Sequence, residues 1–166
     1  MEAAIITMSE SIASPAVVHA HTNDKLVGTW KLVSASSVKS NGERSETPYG
    51  SGPAGFLTYT DDGRVSSLIS YGGRKPLSIG AGPQALLEEQ AAAFNTFLAY
   101  AGRYALNGDK IIHSVEVSSI QNYVGKELVR GIKFPGDQII LVTPPTLVNG
   151  KIQTIELIWR RVQAGS

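Results

Sequence analysis

The chain has 166 residues, 42% hydrophobic and 17% charged, and its 15 Lys and Arg against 14 Asp and Glu leave a net charge of +1. That length suits one domain, and so even a balance provides no basic stripe for nucleic acid and no polybasic block for a membrane surface. Cysteine is absent, which excludes disulfides, thiolate nucleophiles and Cys-type zinc sites.

Residues 1–23 mix Ala, Ser and His without periodicity and read as a flexible arm before a folded domain at 24–166. The arm has no basic residue before Lys25, and its short apolar stretch ends at Ser9-Glu10. No signal peptide is therefore expected, and the cytoplasm is the default location. No apolar run approaches the roughly 20 residues of a membrane span. His19 and His21 have no third ligand nearby in sequence, so no metal site is expected.

The first strand falls at 26–38, with Trp30, Leu32 and Ser34 on one face and Lys31 and Val33 on the other. A Gly/Ser/Pro-rich loop, 41–53, is long enough to form a lid or rim. Strands at 54–60 and 64–71 flank Asp61-Asp62-Gly63, a strong hairpin signal. After Gly72-Gly73 and Pro76, Pro83 is placed as the first residue of a helix. Leu87, Ala91, Phe94 and Leu98 then form one helical stripe opposite Glu88, Glu89 and Asn95, with Gly102 as the stop. Strands at 103–106, 110–118, 127–134 and 137–143 follow, and a last one at 151–162.

Eight short antiparallel strands close into a barrel or stack as a sandwich. Ser34 and Ser36, placed on an inner face after Leu32, suit a partly wet hollow better than a dry sandwich core. The expected fold is all-β: an eight-stranded antiparallel barrel with one inserted helix, its hollow wide enough for one small molecule.

The order of motifs resembles the lipocalin-like domain family of bacteria and fungi. Leu26-Val27-Gly28-Thr29-Trp30-Lys31-Leu32-Val33-Ser34 is similar to its opening strand, and the run from Gly55 through Asp61-Asp62-Gly63-Arg64 to its second hairpin. Tyr100-Ala101-Gly102-Arg103-Tyr104, His113 to Ser118, and Trp159-Arg160-Arg161-Val162 extend the likeness over about residues 25–162. The resemblance implies that Trp30 closes one barrel end beneath Arg160 or Arg161, an arrangement worth about 1 kcal/mol through cation–π attraction. Two departures from secreted lipocalins, the missing cysteines and a helix between the third and fourth strands, leave their transport role behind. Relatives of the broader barrel type catalyse cofactor-free cyclisation or isomerisation.

His113 shares a strand face with Ile111, Val115 and Val117, so it points inward as a proton donor and acceptor or as a hydrogen-bonded structural histidine. Arg130, on a face with Leu128, Ile132 and Phe134, needs a partner there. That partner is a ligand oxyanion, or else Glu116 or Glu156. Glu116 alternates with His113 and reads as a solvated carboxylate unless a β-bulge turns it inward. Trp30, Tyr59, Tyr71, Tyr100, Tyr104 and Tyr123 are candidate ligand contacts, each also a plausible packing residue. No P-loop, dinucleotide fingerprint, zinc-protease helix or hydrolase elbow is present, so no cofactor is expected.

The leading expectation is a cofactor-independent enzyme of specialised metabolism that folds a small, largely apolar polyketide- or terpenoid-like substrate. Cyclisation, isomerisation or dehydration would use His113, Arg130 and Glu116. The alternative is a non-catalytic carrier or sensor of the same ligand class. A third reading is an interaction module with a filled barrel, dimerising through the helix stripe.

Overall fold

The computed structural model describes residues 24–163 apart from 47, 80, 81, 149 and 150; the arm at 1–23, with His19 and His21, lies outside the described residues. In chain order the strands are β1 (Gly28–Lys39), β2 (Arg44–Glu46), β3 (Ala54–Tyr59) and β4 (Arg64–Ser70). Helix α1 (Leu87–Asn95) precedes β5 (Phe97–Asn107), β6 (Lys110–Ser118), β7 (Glu127–Lys133), β8 (Gln138–Val142), β9 (Thr146–Val148) and β10 (Lys151–Arg161).

Eight of these strands form a closed antiparallel barrel in the order β1-β3-β4-β5-β6-β7-β8-β10. Closure comes from β1 pairing with β10, from Trp30 opposite Arg161 to Lys39 opposite Gln153. The short β2 and β9 continue the outer edges of β1 and β10 where β3 and β8 have ended. Strand alternation sends every second side chain inward: Leu57 and Tyr59 from β3, Val65, Ser67 and Ile69 from β4, Ile111, His113 and Val115 from β6. Trp30, Ile139, Leu141 and Trp159 complete the same buried cluster from the other side. The helix enters between β4 and β5, the third and fourth barrel strands.

Two bulges reset the alternation. In β1 the register steps from Leu32 opposite Trp159 to Ser34 opposite Ile158, so Val33 is the extra residue. Beyond it Ala35 and Ser37 are buried, and the inward serine is Ser37, donating to Gln153 Oε1 at 2.5 Å. Ser34 and Ser36, expected inside, lie on the other face because of that one-residue slip. In β6, Gly102 opposes Val115 while Ala101 opposes Val117, so Glu116 is the extra residue. The bulge presses the Ser114 carbonyl against Gly102, where a Cβ would overlap it, so a glycine is needed there.

The helix is shorter than its sequence pattern. It ends at Asn95, and Thr96 caps it by donating from Oγ1 to the Ala92 carbonyl at 2.6 Å. Leu98 belongs to β5, opposite Ile69, and packs against the core. The β4–β5 ladder, seven residue pairs long, takes the backbone that the helical spacing claimed. No residue of α1 is buried, and Leu87 and Phe94 are 79% and 53% exposed. Among the described residues no helix is long and apolar enough to cross a membrane.

Candidate functional site

One end of the barrel is closed by Trp30. Its indole Nε1–H donates to the Leu26 carbonyl at 2.9 Å. The Arg161 guanidinium stacks over its ring, 4.1 Å from the centroid, and donates to the Val27 and Lys25 carbonyls. Arg160 points outward to Asp137 at 3.5 Å. The Trp30 indole N–H and both terminal nitrogens of Arg161 are thus used in closing that end, so Trp30 is not placed as a ligand contact.

Deeper in the barrel lies a buried hydroxyl–imidazole chain. His113 is 0% exposed; Tyr59 Oη lies 2.8 Å from its Nε2 and Tyr100 Oη 2.8 Å from its Nδ1. Burial first, and the Arg130 charge second, lower the imidazole pKa to about 3, so the ring is neutral near pH 7. Burial likewise pushes the Tyr59 and Tyr100 phenols up. A neutral ring donates from one nitrogen and accepts at the other. One such assignment has Tyr59 O–H donating to Nε2 and Nδ1–H donating to the Tyr100 oxygen, which leaves the Tyr100 O–H for the void that this residue lines. The Arg130 guanidinium also reaches the Tyr100 hydroxyl.

Tyr100 and Arg130 lead from this chain to a void of about 10 Å³, whose other polar lining is Ser67, Tyr49 and Trp159. Leu57, Ile69, Leu98, Leu141 and Leu157 supply the apolar lining. The expected ligand-sized hollow is not found here: aromatic and aliphatic side chains fill the interior to about one water's volume. Larger clefts, about 600 and 660 Å³, lie outside the barrel against α1 and against β1 and β10.

Two features of the void stand out chemically. Arg130 is half-buried, and among the described residues no carboxylate lies within ion-pair distance of it. Glu156 pairs with Arg44 at 2.5 Å, and Glu116 with Arg64 at 2.7 Å. The Trp159 Nε1–H is buried with no hydrogen-bond partner.

The four other predicted positions divide. Glu116 points outward between Arg64 and Arg103, the solvated side that its alternation with His113 gives it, so it has no place in the interior. Val117, expected beside His113, is 61% exposed because Glu116 is the extra residue of the bulge. Tyr104 donates to the Thr60 carbonyl at 2.9 Å and packs edge-on against Tyr59, away from the void. Tyr71 stacks against Tyr49, centroids 4.9 Å apart. Tyr123 lies in the turn before β7, close enough to act on the Tyr49 and Tyr71 phenols. Tyr49, Ser67 and Trp159 escaped the sequence reading as site residues. For Ser67 a signal existed, since it is the one polar residue on an otherwise apolar strand face between Val65 and Ile69.

Tyr49 belongs to a strap folded over this part of the barrel. The Gly72 N–H donates to the Tyr49 carbonyl at 2.8 Å. Gly72 meets the Ser51 carbonyl so closely that a Cβ would collide with it. Burial raises the Tyr49 phenol to about 12, with Arg130 opposing.

Against this geometry, a family model described as a lipocalin-like domain matches residues 27–162. The chain belongs to the lipocalin-like domain family. A 4'-hydroxy-3'-methoxypropiophenone carrier protein of Aspergillus oryzae is 33% identical to this lipocalin-like domain over 84 residues, covering 45% of this chain and 76% of that protein. Among solved structures, a lipocalin-like protein from Bacteroides uniformis is 15% identical, with a TM-score of 0.42 over 83% of this chain and 99% of that one. A lipoprotein from Klebsiella pneumoniae is 13% identical, with a TM-score of 0.41 over 89% of this chain and 80% of that one. Among the described residues of the lipocalin-like domain, no group of three His, Asp or Glu side chains is placed to hold a metal ion.

Proposed function

We propose that this lipocalin-like protein binds a small aromatic molecule bearing oxygen substituents and carries it unaltered. The observation that carries the reading is Arg130, a half-buried guanidinium on an otherwise largely apolar wall with no carboxylate to pair it. A buried charge is costly unless well paired; the contacts of this one are the Val129 carbonyl at 3.4 Å and the Tyr100 hydroxyl, and an acceptor on a ligand adds the stronger partner. Similarity to a protein named as a carrier of an aryl ketone supports the same class of cargo.

Entry requires movement. A cavity of roughly 150 Å³ takes a benzene ring, far more than the 10 Å³ void described. The strap bearing Tyr49, with Tyr71 and Tyr123 beside it, is the part that gives way. Calorimetric titration with 4'-hydroxy-3'-methoxypropiophenone should give saturable binding, and chromatography should recover the compound unchanged. Absence of binding up to its solubility limit overturns the proposal for this ligand class.

A catalytic reading rests on Tyr100, whose hydroxyl meets the void while His113 backs it. A polyketide- or terpenoid-like substrate would be protonated or deprotonated there, with Arg130 stabilising an enolate. Against it, both His113 ring nitrogens are engaged and its pKa is held near 3, which makes it a weak base at neutral pH. Conversion of a supplied ligand by the wild type, lost in His113→Ala and Arg130→Ala, would displace the carrier reading.

A further inference from the structure

Four side chains that carry polar hydrogens line the void with Tyr49: the Arg130 guanidinium, the Trp159 indole, and the Ser67 and Tyr100 hydroxyls. No carboxylate lines it. An indole N–H and a guanidinium donate only, so the site is rich in donors and short of acceptors. Trp159 decides the matter. It is 1% exposed and its Nε1–H has no partner, a state that buried donors rarely occupy. Trp30, equally buried in the same barrel, has its own N–H satisfied by Leu26 at 2.9 Å.

Resting on the binding function proposed above, we infer that Trp159 Nε1–H and the Arg130 guanidinium hold the carbonyl oxygen of an aryl ketone, which enters carbonyl-first. Leu57, Ile69 and Leu157 then pack the ring and alkyl portions. A ketone oxygen has two lone pairs and takes both donors at once; an apolar ligand of equal shape leaves the Trp159 N–H unpaired and Arg130 with only the Val129 carbonyl at 3.4 Å and the Tyr100 hydroxyl. Discrimination by a site built this way is strong, because the penalty falls on the protein's own unpaired donors. The competing occupant is one water bound to Trp159, for which the void is about the right size.

The test uses propiophenone and n-propylbenzene, which differ in one C=O against one CH₂. Calorimetry on the full chain compares wild type, Trp159→Phe and Arg130→Met. Nitrogen–proton correlation spectra follow the two indole N–H signals, with Trp30 as the internal control. Propiophenone should bind at least tenfold tighter than n-propylbenzene and should move the Trp159 signal while leaving that of Trp30 in place. Each variant should cut the preference for propiophenone over n-propylbenzene to about threefold or less. If Trp159→Phe does not fold, Arg130→Met and the wild-type spectra carry the test. Equal binding of both probes, a still indole signal, or a preference that survives in the folded variants overturns the inference while leaving the binding function standing. Failure of both probes to bind, with 4'-hydroxy-3'-methoxypropiophenone still bound, overturns the inference alone. Failure of all three overturns both.

Discussion

Trp30 and Trp159 are 2% and 1% exposed, yet one indole N–H donates to a carbonyl and the other has no acceptor. The first belongs to the end sealed by Arg161, the second to the wall between Arg130 and Tyr100. Burial is therefore the same in the two regions and polar satisfaction is not. Where the indole donor is used, the side chains hold the barrel shut. Where it is left over, the ligand proposed above would supply the acceptor.

The sharpest way to break this contrast is at the sealed end. Trp30→Ala should cost about 3–5 kcal/mol of stability, as large aromatic truncations in cores do, measured by urea unfolding. A loss below about 1 kcal/mol would mean that Trp30 is not structural. The hydroxyl–imidazole chain makes a prediction in pH. His113 has a folded pKa near 3, lowered from an unfolded value of about 6.5. Between those values the unfolded chain takes up a proton that the folded one refuses, so stability falls as pH drops. The slope from this group is about 1.4 kcal/mol per pH unit. His113→Gln should lower stability at pH 8 and flatten the decline between pH 6 and 4 (approximate bounds from the same linkage).

A matched pair sharpens the comparison further. Trp30→Phe leaves the Leu26 carbonyl unpaired and weakens the cation–π contact, for about 2 kcal/mol. Trp159→Phe loses ring area but also removes an unsatisfied donor, so it should cost less than about 1.5 kcal/mol. Equal costs by urea unfolding would erase the distinction between the two indoles. The smallest effect is expected at Glu116→Gln. Its exposed bridges to Arg64 and Arg103 are worth well under about 1 kcal/mol, and ligand affinity should not change.

Much of the site was half visible before folding. His113 and Arg130 stand on regular stretches of β6 and β7, where simple alternation places them on the inner face. Val117 broke that rule because one extra residue, Glu116, turns the strand over, and the local sequence carries no mark of it except Gly102 on the neighbouring strand; Glu116 itself faces outward, as its alternation with His113 had it. The helix boundary failed for a related reason. Leu98 keeps helical spacing from Phe94, but pairing with β4 across Ile69 outweighs a local periodicity. Tyr49 lay in a loop with no pattern to give it a direction.

The amino-acid sequence determined most of the strands and their turns, because alternation and Asp-Gly and Asn-Gly turns are properties of neighbouring residues; the sealed end followed only from the resemblance carried by the Gly28-Thr29-Trp30 run and the Arg160-Arg161 pair. It also determined that an imidazole and a guanidinium would share an interior. The tertiary structure alone decided that Tyr100 bridges them, that Trp159 keeps a free N–H, and that about 10 Å³ is left between. Those depend on side chains up to about 110 positions apart in the chain, Tyr49 to Trp159, meeting at particular rotamers once a closed sheet has set their distances.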